Sequence, residues 1–146
     1  MSYFDNKLRL VLDTDVVVSA MRSSSGASAS LLLSALEGVV TPIINVALVL
    51  EYEAVCLRRQ HLEASGLNES QAVNFIDSIV AISEVAQSHF NWRPQLIDAQ
   101  DELVLDAAIN GGARMIVTFN SRHFGAAERF GIGVFSPRQA IRRIRS

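Results

Sequence analysis

Three acids stand where the surrounding sequence is apolar. Asp13 closes the run "LRLVLD", whose branched, apolar residues predict a buried strand ending at Asp13. A carboxylate there must be paired, hydrogen-bonded or bound to a cation, because an unpaired buried charge is very costly. The competing assignment has Asp13 accepting backbone N–H bonds from its own turn, work that Asp15 can do instead. Asp101 lies in "DAQDELVLDAAINGG", and at 100° per residue Val104, Leu105 and Ala108 fall within about 60° of it. Asp101 therefore faces the sheet, while Glu102, Asp106 and Asn110 make the polar stripe. Its structural alternative is the third position of a capping box opened by Asp98, which itself divides between cap and site. In "LVLEYEAVCLR", Glu51 and Glu53 point to different sides of a helix that is apolar nearly all round, so either one can be the inward acid.

Carboxylates gathered in this way repel and raise one another's pKa unless a cation sits among them. Hard divalent ions suit such a set. Magnesium takes oxygen ligands, keeps several waters, and uses one or two carboxylates together with substrate phosphate oxygens. No histidine or cysteine set has zinc spacing: His61, His89 and His123 are scattered, and His61 and His89 are expected at the surface.

The elements that must position these acids alternate along the chain. Strands are expected at 8–13, at "VVTPII", at "AISEVA", at "RMIVT" and at "IGVFS". Between them, "ASLLLSALEG" predicts a helix capped by Ser28 or an earlier serine. "NVALVLEYEAVCLRRQHLEAS" predicts one long helix from Asn45 to near Gly66, and "LNESQAVNFIDSIV" another with Asn68 and Gln71 as a capping box. The acid-opened "DAQDELVLDAAINGG", the short "GAAERF" and "SPRQAIRRIRS" supply the rest. This alternation predicts an α/β three-layer sandwich with a central, mainly parallel sheet of four to five strands flanked by helices. Ligands of such sheets sit outside the carboxyl ends of the strands, which is where Asp13, Thr14, Asp15, Thr118 and Asn120 fall.

With 146 residues, 49% hydrophobic and 19% charged, and neither repeat nor linker, the chain is expected to be a single domain over 1–146. It has no apolar run of membrane-spanning length and no signal-peptide layout at its start, so a cytoplasmic location is expected. The lone Cys56, among apolar neighbours, suits packing. Charge is uneven, because five arginines and no acid lie from Arg129 onward, leaving an acidic body and a basic tail. Lys7 is the only lysine, which nearly excludes a buried catalytic lysine.

Together these segments resemble the PIN domain family over nearly the whole chain. "VLDTDVVVSAM" resembles its opening strand and aspartate, with Asp15 replacing the common asparagine. "LVLEYEAVCLR" resembles the helix bearing its second acid and assigns that acid to Glu51; "DAQDELVLDAAINGGARMIVTFNSRHF" is similar to the third block, assigning a catalytic aspartate to Asp101 with Asp98 as companion. The layout is similar to the VapC-like branch of toxins from toxin–antitoxin pairs. The resemblance implies a magnesium- or manganese-dependent endoribonuclease, with Asp13, Glu51 and Asp101 catalytic and holding metal, and Asp98 and Asn120 as further metal residues. Thr14 and Thr118 would orient ligands or contact the substrate phosphate, Arg122 and His123 would contact substrate, and Arg114, Arg138, Arg142, Arg143 and Arg145 are further phosphate contacts. A homodimer and a cognate antitoxin are implied by the family alone, and a mean hydropathy of +0.25 is compatible with a partner surface.

Two other functions compete. "DTDVV" also satisfies the opening motif of haloacid dehalogenase-type phosphatases, with Asp13 as nucleophile and Asp15 as general acid, but the expected lysine and late acidic pair are missing. A PIN-like scaffold that binds RNA or protein without cleaving is motivated by "IVTFNSRHF", where the family pattern places acids at the position of Asn120, of His123, or both. Asparagine can still ligate magnesium or hold one of its waters, and His123 is otherwise a turn residue before a packed Phe124.

Overall fold

The computed structural model describes residues 7–87 and 99–146. Five strands form one all-parallel sheet: β1 (Leu8–Leu12), β2 (Val40–Ile44), β3 (Glu84–Val85), β4 (Met115–Val117) and β5 (Gly133–Phe135), in the order β3-β2-β1-β4-β5. Helices flank it: α1 (Thr14–Arg22), α2 (Ala27–Leu36), α3 (Val46–Cys56), α4 (Arg59–Ser65), α5 (Glu69–Ala81), α6 (Ala99–Gly111) and α7 (Pro137–Arg145). The expected α/β sandwich is the observed one. From β1 the chain first builds outward through β2 and β3, then returns to add β4 and β5 on the other side. The order reverses between β1 and β4, and a crevice opens at their carboxyl ends.

Pairing at that seam is tight. Leu10, Val11 and Leu12 register with Met115, Ile116 and Val117, and all six are buried. The capping boxes at Asn68/Gln71 and Ser136/Gln139 are both formed, and Cys56 is buried in the core with its thiol pushed up to about 11 by that burial. Among the described residues no single helix is long and apolar enough to cross a membrane.

Five expectations need correction. The first strand stops at Leu12 and a helix starts at Thr14, although Val16, Val17 and Val18 favour strand. Asp13 caps that helix, its carbonyl accepting from Val16 and Val17 N–H, and burial of all three valines in the core overrides their local preference. The second helix starts at Ala27 behind Gly26 rather than behind a serine. The expected long helix breaks at Leu57 and Arg58, where Arg58 is extended, so that α4 turns back against α1 and ends on Gly66 in the left-handed region. The third strand shrinks to Glu84–Val85, and a 3₁₀ segment spans Ser121–Phe130, longer than "GAAERF". The expected cap at Asp98 lies outside the described residues, as does His89.

One buried polar contact fixes the strand end that carries Asp13. The Tyr52 hydroxyl, on α3, donates to the Leu12 carbonyl at 2.5 Å, and both residues are almost wholly enclosed. In Tyr52→Phe that carbonyl loses its donor without gaining access to water. Equilibrium urea unfolding should show a loss of about 1–3 kcal/mol; a variant as stable as the parent would mean the contact is dispensable.

Candidate active site at the carboxyl edge of the sheet

Asp13 is held from two sides. Its Oδ1 accepts from the Thr14 N–H at 2.8 Å as the N-cap of α1, and its Oδ2 accepts from the Thr118 hydroxyl at 2.7 Å. Burial raises its pKa, against the lowering effect of the Thr118 and Thr14 bonds and of nearby His123. The partly positive helix terminus favours the ionised form in the same direction as those bonds. Thr118 is enclosed behind Asp13 at 1% exposure. Its hydroxyl is committed to the carboxylate and also accepts from the Asn120 N–H at 2.9 Å. Of the two roles expected of Thr118, orienting a ligand carboxylate or contacting phosphate, this bond matches the first.

Asp15 joins the same network from the first turn of α1. Its Oδ2 accepts from the Phe119 N–H and from Asn120 Nδ2, both at 3.1 Å, while its buried Oδ1 has no hydrogen-bond donor. Desolvation, then repulsion from Asp13, pushes its pKa up to about 7, ahead of the lowering by Phe119 and Val16 N–H. On the other side, His123 Nδ1 lies 3.1 Å from Asp101 Oδ2. An ionised carboxylate can only accept, so the imidazole carries its proton on Nδ1 toward Asp101.

These groups line one cavity of about 310 Å³, with Asp13, Thr14, Asp15, Glu51, Asp101, Asn120 and His123 in its wall. The structure thereby separates Glu51 from Glu53: only Glu51 lines the cavity. Asp101 is buried at 8% exposure, facing inward as its helical position requires. Asp98 lies outside the described residues. Arg122 lines the adjoining depression of about 360 Å³ with Phe119, Asn120, Ser121 and His123. Arg114 precedes β4 and so stands at the amino edge of the sheet, the opposite end from Asp13. Of the tail arginines, Arg143 sits over the Phe135 ring at 4.8 Å, and Arg138, in the first turn of α7, starts at the carboxyl edge.

Among the described residues no group of three or more His, Cys, Asp or Glu lies close enough to hold a metal ion unaided. The donors nevertheless fit a hard divalent ion. All the acids here offer oxygen, no thiol lines the cavity, and magnesium needs only one or two protein carboxylates when waters complete its shell. The undonated Asp15 Oδ1 is the observation that favours a cation, since two neighbouring carboxyls must otherwise share a proton.

Three polar residues of the cavity wall were not expected there, Arg58, His61 and Gln100, while Asp15 was expected at the strand end but not as a metal residue. The first turn of α1 is what carries Asp15 from the strand end into the wall. Arg58 and His61 depend on the break between α3 and α4, and His61 is half-buried in the cavity wall. A family model described as PIN domain matches residues 9–122. Comparison with curated proteins returns no match.

The raised pKa of Asp15 has a signed consequence. A carboxyl whose folded pKa exceeds its unfolded value of 3.8 contributes stability fully below that value and loses it as pH rises through about 7. In EDTA, the parent protein should therefore lose stability between pH 5 and pH 8 relative to Asp15→Asn. Thermal melts at both pH values check this; parallel pH profiles for the two proteins would contradict it.

Proposed function

The chain belongs to the PIN domain family, whose members are generally nucleases, and from that premise we propose that it is a magnesium- or manganese-dependent endoribonuclease hydrolysing RNA phosphodiester bonds. The observation that carries the proposal is the gathering of Asp13, Asp15, Glu51 and Asp101 around one cavity at the strand-order reversal. Asp13, Glu51 and Asp101 would hold the metal, with Asp98 and Asn120 as companions and Asp15 added on its undonated oxygen. When bound, such an ion supplies an activated water and offsets charge on the phosphate.

The protein's own groups prepare that chemistry. Thr14 and Thr118 fix both oxygens of Asp13, so the carboxylate cannot rotate away from the cavity. Asn120 donates one amide hydrogen to Asp15, and its carbonyl oxygen is the acceptor it can offer to a cation or to one of its waters. His123 holds Asp101 through Nδ1 and retains Nε2 for a phosphate oxygen, and Arg122 beside it offers a second contact. The phosphatase reading of "DTDVV" yields to the family match, which covers that motif.

The VapC-like toxin role, one domain over 1–146, a homodimer and an antitoxin partner belong to the same proposal. The order of the three blocks supports the subtype, and the exposed Leu33, Leu36, Val46 and Leu50 support a protein partner. A non-cleaving scaffold has one observation in its favour: neither Asn120 nor His123 is acidic.

Purified protein incubated with a mixed RNA pool and manganese tests the choice. Cleavage should require the metal and fall by about 100-fold or more in Asp13→Asn and Asp101→Asn. RNA bound but left intact by the parent at every metal concentration would instead establish the scaffold.

A further inference from the structure

The break that separates α4 from α3 places three basic groups beside the carboxylate cavity. Had the helix continued, His61 would lie about 15 Å beyond Glu51 along its axis. Instead α4 packs back on α1, where Arg22 is the last helical residue, and both Arg58 and His61 line the cavity wall. Arg22 Nη1 lies 3.5 Å from His61 Nδ1. A guanidinium can only donate, so Nδ1 accepts and the imidazole carries its hydrogen on Nε2.

Arg22 and Arg58 are exposed, and among the described residues neither is in an ion pair with an acid, whereas Arg59 is paired with Glu63 and Arg9 with Glu84. Both arginines act on His61, whose pKa is lowered, first by desolvation and then by the charges of Arg22 and Arg58. Like charges brought to one place without an acid between them are stabilised by an anion. Next to them stand acids that repel any polyanion. A nucleic-acid strand reaching those acids needs positive contacts at the rim, and the described wall of the cavity offers Arg58 for that purpose.

We propose that Arg22, Arg58 and His61 form a phosphate-binding rim that holds a backbone phosphate of single-stranded RNA neighbouring the one presented to the carboxylates. This rests on the nuclease reading for its substrate, but not for its measurement. Arg58 and Arg22 supply charge and forked donors, and His61 supplies a neutral Nε2–H donor. The basic contacts at this site then run from α4 across the cavity to Arg122, rather than along the arginines of α7.

Binding of a fluorescein-labelled single-stranded RNA to the full chain, in EDTA and across a salt series, isolates the rim from cleavage. In Arg22→Gln/Arg58→Gln the affinity should fall about 10-fold or more at low salt, and the slope of log K against log salt should flatten by about 0.7, the share of one neutralised phosphate on a single strand. Arg22→Lys/Arg58→Lys should recover most of the slope, and both variants should melt with the parent because the replaced groups are exposed. An unchanged slope and affinity in the glutamine variant, or no RNA binding by the parent, would overturn the rim. Rim-dependent binding by a parent that never cleaves RNA with manganese would leave the rim standing and remove the nuclease.

Discussion

A carboxylate buried at the end of the central strand is the constraint around which the rest is arranged. Asp13 follows β1 at the point where strand order reverses, and nothing in an apolar seam can solvate it. The neighbouring strand supplies Thr118, the following helix supplies the Thr14 N–H, and Tyr52 from α3 secures the Leu12 carbonyl just before it. Each partner comes from a different element. The site therefore exists only when β1, β4, α1 and α3 are docked, which ties its geometry to the core.

Electrostatics then gives the cavity its character. Hydrogen bonds suffice to orient Asp13, yet they leave Asp15 with one oxygen undonated and its pKa near neutrality. A fold selected for stability alone would have little reason to keep Asp15 beside Asp13, since asparagine there would remove the repulsion. The Asp15–Asn120 pair also shows a distributed arrangement. The amide on β4's extension donates to the acid on α1, so negative charge absent from one side of the crevice is present on the other.

Much of this was legible in the sequence. Hydrophobic runs located every strand, and the inward position of Asp101 followed from helical periodicity alone. The choice between Glu51 and Glu53 did not, because a helix apolar all round has no face to read. Asp15 was legible at the strand end, but the valines after it, with their β preference, concealed the start of α1; only tertiary burial decides for helix there. His61 and Arg58 were obscured because helix propensity continues through "CLRRQHLEAS", and the break at Arg58 is set by docking against α1 rather than by a glycine or proline. Thr118 was found by position, but its role as a support for Asp13 required a contact across 105 residues of sequence.

The central claim is that the carboxylate cavity takes a divalent cation. Titrating manganese into ¹⁵N-labelled protein and following amide signals by NMR tests it most directly, because paramagnetic broadening reports where the ion sits without requiring catalysis. The account predicts early, selective loss of the Thr14, Asp15, Asp101, Phe119 and Asn120 amides, while those at the amino edge of the sheet, such as Arg114 and Val40, persist. Broadening that spares the first group, or that spreads evenly over the acidic surface, would contradict it.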